Sequence, residues 1–365
     1  MRLIIQRNAD EVAEWIATYV MRRIVDFAPT ERKPFVLGLP TGSSPIKTYA
    51  KLAQFVKEGK LSFKYVVTFN MDEYCGLPED HPESYHSFMH KHLFSKVDAD
   101  PKNINILNGN APDLKAECAR YEAKIKAMGG IELFLGGIGP DGHIAFNEPG
   151  SSMVSRTRVK SLAYDTIVAN SRFFDGDLNK VPKMALTVGV GTVMDAREVI
   201  IIVTGINKSI ALEKVVEEGV NHMFTVSQIQ QHPRACIVCD DDATVELKVK
   251  TINYFNGIRE THLQSQGEMT GDTADAVAAR RALKFERAKK RESVSMVGSN
   301  PGPATPPTSP NGKRALTRKP SWQTLDDSRL SRASRGAGDG GGFALQVALG
   351  LAAGLVIGVV LARSR

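Results

Sequence analysis

Five short apolar runs, separated by stretches of helical period, constrain this chain more than any other feature. FVLGLP (35–40), YVVTFN (65–70), IELFLGGIG (131–139), VIIIVTG (199–205) and ACIVCD (235–240) read as buried strands. Ser44–Lys57 reads as the helix after the first of them, and LKAECARYEAKIKAM (114–128) as an amphipathic helix further on. Strand–helix alternation predicts an α/β fold, a mostly parallel sheet with helices on both faces. Ligands of such sheets sit at the carboxyl ends of the strands. The residues just past each apolar run are therefore where chemistry is to be sought.

The alternation stops near residue 262, and the charge balance changes with it. Residues 1–260 carry 31 basic and 32 acidic side chains, whereas 261–365 carry 16 and 8. The pI near 9.1 thus belongs to the tail and implies no nucleic-acid surface on the main domain. Residues 1–262 are expected to form the catalytic domain and 263–342 a basic linker. Within that linker, 273–293 has the composition of one exposed basic helix. GSNPGPATPPTSPNG (298–312) and SRASRGAGDGGG (331–342) cannot bury enough apolar surface to order, so 294–342 is expected to be disordered. Phe343–Leu361 is 19 uncharged residues with Gly350, Gly354 and Gly358 spaced by four. A helix of that length spans roughly 28 Å, close to a bilayer core. It is a candidate transmembrane tail anchor, with Arg363 and Arg365 leaning towards the mitochondrial outer membrane. The chain opens with no signal peptide, because MRLIIQRNADEVAEW turns polar after five residues. Together with four scattered cysteines, this predicts a reducing, cytoplasmic setting. Cys236 and Cys239 form a CxxC, but inside an apolar strand with no second pair, so they read as buried core cysteines.

Four strand ends carry polar groups that a buried strand does not need. After the first comes PTGSSP (40–45), where Gly42 permits a tight turn and Ser43 or Ser44 can cap the next helix. Free amides and the helix dipole there favour a phosphate, although an ordinary capped turn has the same sequence. After the second comes NMDEYCGL (70–77). Asp72 and Glu73 stand immediately past the strand, placed either to act as a base or to cap a helix. The third, GGIGPDGHIAFNEPGSS (136–152), sets Asp141, His143 and Glu148 within eight residues in a glycine-rich loop. A histidine between two carboxylates suits proton transfer. The same three side chains could instead hold a metal. The fourth, VTGINKS (203–209), places Lys208 on the first turn of the following helix, aimed at an anion, or simply solvated. Arg172 in VANSRFFDG (168–176) is a further cation. His86, His90 and His92 in YHSFMHKHLF lack the HExxH pattern and read as a partly exposed helix face.

Taken together these motifs resemble the glucosamine-6-phosphate deaminase (isomerase) family over Met1 to about Arg259. FVLGLPTGSSP, VVTFNMDEY, HPESYHSFM, GPDGHIAFNEP, VANSRFFD, ALTVGVGT and ELKVKTINYFN occur in family order. The resemblance implies a modified doubly wound α/β fold and no metal or organic cofactor. It implies isomerisation coupled to deamination, from glucosamine 6-phosphate to fructose 6-phosphate and ammonia. It assigns proton shuttling to Asp72 and ring opening to His143, with Asp141 and Glu148 as its carboxylate partners. It places the substrate phosphate on Thr41, Gly42, Ser43, Ser44, Arg172 and Lys208. It further implies a homohexamer activated by N-acetylglucosamine 6-phosphate at Ser152, Arg158, Lys160, Ser161 and Tyr254. Ser161 stands where many members have threonine, and residues 263–365 have no family counterpart. Two other readings stay open at this level: a sugar-phosphate lactonase on the same scaffold, or a non-catalytic sugar-phosphate sensor.

Overall fold

A computed structural model of the chain describes residues 1–266. The basic helix expected at 273–293, the linker to 342 and the apolar segment 343–361 lie outside the described residues. Among the described residues no helix is long and apolar enough to cross a membrane.

The chain opens with β1 (Arg2–Gln6) and α1 (Ala9–Phe27), the latter started by Asn8, whose side chain accepts from the amides of Asp10 and Glu11. There follow β2 (Phe35–Leu39), α2 (Ile46–Lys57) and β3 (Val66–Asn70). A short β4 (Asp72–Tyr74), α3 (Tyr85–His92), β5 (Ile104–Asn105) and α4 (Leu114–Ala127) come next. β6 (Leu133–Gly137) runs into a long loop before β7 (Arg158–Ser161), α5 (Tyr164–Ser171), β8 (Met184–Thr187) and α6 (Val190–Met194). β9 (Val199–Val203), α7 (Ser209–Glu217), β10 (Ala235–Asp240) and α8 (Val249–Gln266) complete it.

Seven strands form one parallel sheet in the order β1-β10-β9-β6-β2-β3-β5. All five expected strands are in it. The two added ones carry weak signals: RLIIQ has only three apolar residues in a row, and β5 has two residues in all. Successive strand residues feed opposite core layers. Leu37, Leu39, Cys236 and Val238 pack beneath α1, α2 and α3 with Ile16, Tyr49, Leu52 and Met89. Val36, Ile237 and Cys239 pack on the other face with Tyr121, Ile125, Leu212 and Val215 from α4 and α7. Cys236 and Cys239 are therefore buried on opposite sides of the sheet, free and unable to share one metal or form a disulfide.

The order of winding reverses between β2 and β6, so the carboxyl ends of β9, β6, β2 and β3 lie side by side at a topological switch point. A second sheet, antiparallel β4-β8-β7, stands beyond those ends. Its strands are three or four residues long and only partly apolar, which is why no sequence period announces them. Met71 joins the two sheets: its amide donates to the Leu39 carbonyl and its carbonyl accepts from Val188. Asp72 is the first residue past that junction.

Candidate active site

The loop after β2 turns through Gly42, whose φ of +94° lies in the left-handed region that favours glycine. The expected serine cap is absent. Pro45 occupies the N-cap of α2, the helix starts at Ile46, and no side chain bonds its first turn. Ser43 and Ser44 precede an uncapped helix terminus, and their side chains make no hydrogen bond among the described residues. Thr41 Oγ1 instead donates to Asp72 Oδ1 across 3.4 Å, tying this loop to the end of β3.

Asp72 and Glu73 divide the two readings of the acidic pair between them. Glu73 is the helix anchor. Its Oε1 accepts from the amides of Tyr74 and Tyr85 and its Oε2 from that of His86, each at 2.9 Å, at the start of α3. Asp72 is 6% exposed, and Thr41 is its one hydrogen-bond partner among the described residues. Burial, and then the charge of Glu73, push its carboxyl up to about 8, with the Thr41 bond pulling the other way. A carboxyl raised this far is a proton acceptor of useful strength near neutral pH.

The loop after β6 folds back on itself, with Gly139 and Gly142 closing it through backbone bonds to His143 and Gly139. His143 Nδ1 lies 2.7 Å from Asp141 Oδ1. Burial raises the Asp141 carboxyl, but the contacts with His143 outweigh it and leave the group below its ordinary value. Gly139 makes the pairing sterically feasible. A Cβ there would meet the His143 ring at 2.3 Å and Asp141 Oδ1 at 2.5 Å. Ala145 holds a left-handed φ of 52°, a strained turn in the middle of the motif.

Glu148 has partners other than the expected histidine. Its Oε1 accepts from the Ala163 amide and the Thr166 hydroxyl, both at 2.7 Å, and its Oε2 lies 3.8 Å from Lys160 Nζ. No hydrogen bond or ion pair joins it to His143 among the described residues. Ala163 has no side chain to cap α5, and the buried Glu148 carboxylate holds the start of the helix through the Ala163 amide and the Thr166 hydroxyl. Glu148 thereby anchors the helix whose C-cap is Arg172.

Lys208 sits at the N-cap of α7, one residue before the expected first turn. Burial depresses its ammonium to about 8, with Asp141 pulling upward and Arg172 pushing further down. Asp141 and Arg172 are thus the two charges that act on Lys208. The turn that delivers Lys208 is held by Asp240, whose two oxygens each accept from the Gly205 amide at 3.0 Å. Asp240 was not singled out from the sequence, although a buried carboxylate closing a strand was a usable signal. Asn147 was also missed. Fully buried, it donates to the carbonyls of Ile144 and Val188 and accepts from Arg158, bracing the loop against β7 and β8.

Arg158, Lys160 and Ser161 share β7, and Ser152 lies in the loop that leads to it. Tyr254 is 63% exposed on α8, and among the described residues no hydrogen bond or ring contact is seen to join it to that group. His86 and His90 meet at a tilt on one face of α3 and line a separate cavity of about 440 Å³ with Glu73, Glu79 and Asn108. No lysine or arginine lines that cavity, so it is unsuited to a phosphate ester.

The family described as glucosamine-6-phosphate isomerases/6-phosphogluconolactonase matches residues 7–240. Glucosamine-6-phosphate deaminase 1 of Homo sapiens is 66% identical over 262 residues, which is 72% of this chain and 91% of that protein. Glucosamine-6-phosphate deaminase 2 of Homo sapiens is 64% identical, over 72% of this chain and 95% of that one. A solved monomeric glucosamine-6-phosphate deaminase superposes with a TM-score of 0.63 at 37% identity, covering 67% of this chain and 98% of the other. A 6-phosphogluconolactonase from Leishmania guyanensis shares the fold at a TM-score of 0.53 and 19% identity, over 68% and 98% of the two chains. A seven-stranded switch-point sheet, a family match over residues 7–240 and relatives at about two-thirds identity agree: the chain belongs to the glucosamine-6-phosphate isomerase/6-phosphogluconolactonase family.

Proposed function

We infer that this protein converts glucosamine 6-phosphate and water to fructose 6-phosphate and ammonia. The observation that carries the reading is one buried carboxyl of raised pKa past the end of β3, one carboxylate-paired imidazole in the loop after β6 and one partly buried lysine after β9, on strands whose carboxyl ends lie side by side at the switch point. In this reading Thr41, Gly42, Ser43 and Ser44 cradle the phosphate with Arg172 and Lys208. Binding of the phosphate, which takes no part in the bond changes, supplies orientation. His143, oriented by Asp141, carries the proton from the anomeric hydroxyl to the ring oxygen as the pyranose opens. Glu148 keeps α5, and so Arg172, in place. Asp72 as carboxylate takes the proton from carbon 2, leaving an enolamine, and returns it to carbon 1. Water then adds to the carbon 2 imine and ammonia departs. A lactonase needs a water-activating base but no such carbon-to-carbon shuttle, and a buried Asp72 near pH 8 favours the isomerase. The test is Asp72→Asn. Turnover is lost while binding of the phosphate ester persists, and an active variant would remove Asp72 from its role.

Residues 1–262 form the catalytic domain in this proposal, an extent supported by the length over which the deaminase relatives align. A basic linker over 263–342 would join it to residues 343–361, which we place in a membrane with the enzyme facing the cytoplasm. Carbonate extraction that frees the full chain into the soluble fraction would end the anchor. The same proposal includes a homo-oligomer, a hexamer by resemblance, with a second site for N-acetylglucosamine 6-phosphate on Ser152, Arg158, Lys160 and Ser161. Tyr254 would join that site only across an interface between copies. Hyperbolic kinetics unaffected by that compound would remove the second site.

A further inference from the structure

Glu73 stands back to back with the proposed base and has been given no part in the reaction. Adjacent residues of a strand point to opposite faces, so its carboxylate turns away from the site that Asp72 faces. It is 5% exposed. Three amides converge on it at 2.9 Å, from Tyr74 in its own strand and from Tyr85 and His86 in the first turn of α3. Burial raises the Glu73 carboxyl above its ordinary value and the three amides pull it back, since three donors and the positive end of a helix suit an ionised carboxylate. Ser84 already caps the same helix by accepting from the Ser87 amide, so α3 does not need Glu73 merely to begin.

The surroundings of Asp72 leave Glu73 alone in its electrical effect. Thr41 bonds Asp72 from the β2–α2 loop, and the Asp72 charge is felt by Tyr49 of α2, Tyr74 of β4, Tyr85 of α3 and Tyr121 of α4. Thr41 has no charge, and burial holds the four phenols above their ordinary value, hence neutral at working pH. Around Glu73 the titratable groups are Asp72, Tyr74, Cys75, Tyr85 and His86. No cation among the described residues is seen to neutralise Asp72.

We propose that Glu73 is a positioning residue for the isomerisation: its amide-clamped carboxylate locks strand β4 and holds a fixed negative charge against Asp72. The charge makes Asp72 a stronger base than a lone carboxylate, and the clamp keeps it at the junction of the two sheets. This rests on the assignment of Asp72 as the carbon-to-carbon proton carrier.

The test is the pH dependence of kcat/KM for glucosamine 6-phosphate in wild type, Glu73→Gln and Glu73→Asp, read as ammonia released. Removing the charge in Glu73→Gln moves the ascending limb about one pH unit lower. Its kcat falls while KM stays within about twofold. Glu73→Asp keeps the charge but shortens the reach, so its limb stays at the wild-type position while kcat drops. An active wild type with an unmoved limb in folded Glu73→Gln overturns the proposal and leaves the reaction intact. Where Glu73→Gln does not fold, Glu73→Asp decides: a wild-type limb with reduced kcat upholds it, and a shifted limb or unchanged kcat overturns it. A wild type that releases no ammonia fails earlier, at the reaction itself.

Discussion

Replacing Asp72 by asparagine should make the protein more stable as well as inactive, and the gain should depend on pH in a defined direction. The Asp72 carboxyl rises from 3.8 in the unfolded chain to about 8 in the fold. Below pH 3.8 both states are protonated and the site costs nothing electrically. As the pH climbs to 8 the unfolded state sheds a proton that the native state retains, so native stability falls. The slope is about 1.4 kcal/mol per pH unit, and the total reaches on the order of 5 kcal/mol by pH 8. Asparagine has the same shape, no proton to lose, and an oxygen that still accepts from Thr41. Its advantage over wild type should thus be about 1–2 kcal/mol at pH 5 and about 5 kcal/mol at pH 8. Urea unfolding followed by far-ultraviolet circular dichroism, on both proteins at both pH values, measures it. A variant no more stable than wild type at pH 8, or an advantage independent of pH, would refute a destabilised carboxyl at this site. The same result would remove the reason given for its basicity.

Three further outcomes follow from the site. The profile of kcat/KM against pH should be a narrow bell centred near 8, because Asp72 must lose its proton and Lys208 must keep its own, and both change state at about 8; a flat profile from pH 6 to 9 would contradict both. Lys208→Ala and Arg172→Ala should each weaken binding of the phosphorylated sugar by about tenfold or more, the loss of one charge-assisted bond. Calorimetry with phosphorylated and plain glucosamine checks this, and equal effects on the two ligands would disconnect these cations from the phosphate. Gly139→Ala puts a methyl 2.3 Å from the His143 ring. Displacing that ring should cost about a hundredfold in kcat, and undiminished turnover would show that His143 need not sit where it does.

The main sheet was legible because its strands are buried on both faces and so are apolar almost throughout, with Thr68 and Asn70 of β3 among the exceptions. β1 and β5 were not, since three apolar residues or two carry no period. α2 starts at Ile46, two residues later than expected, with Pro45 at its N-cap and no side-chain cap. The chemistry-bearing side chains were readable from one rule, polar residues beyond a buried strand. Their partners were not. Asp72 and Glu73 carry the same charge side by side, yet one faces the site and the other holds α3. Only the pairing of β4 with β8 and the approach of Tyr85 decide which is which. Glu148 likewise goes to the amide of Ala163, a choice set by the fold of residues 149–163 and not by the motif.

Product stoichiometry decides the assigned reaction most directly. Purified full-length protein should release one ammonium for each fructose 6-phosphate formed from glucosamine 6-phosphate, and leave 6-phosphogluconolactone at its spontaneous rate of hydrolysis. Hydrolysis of the lactone without any ammonia from the amino sugar would contradict the assignment and place the chain among the lactonases of its family.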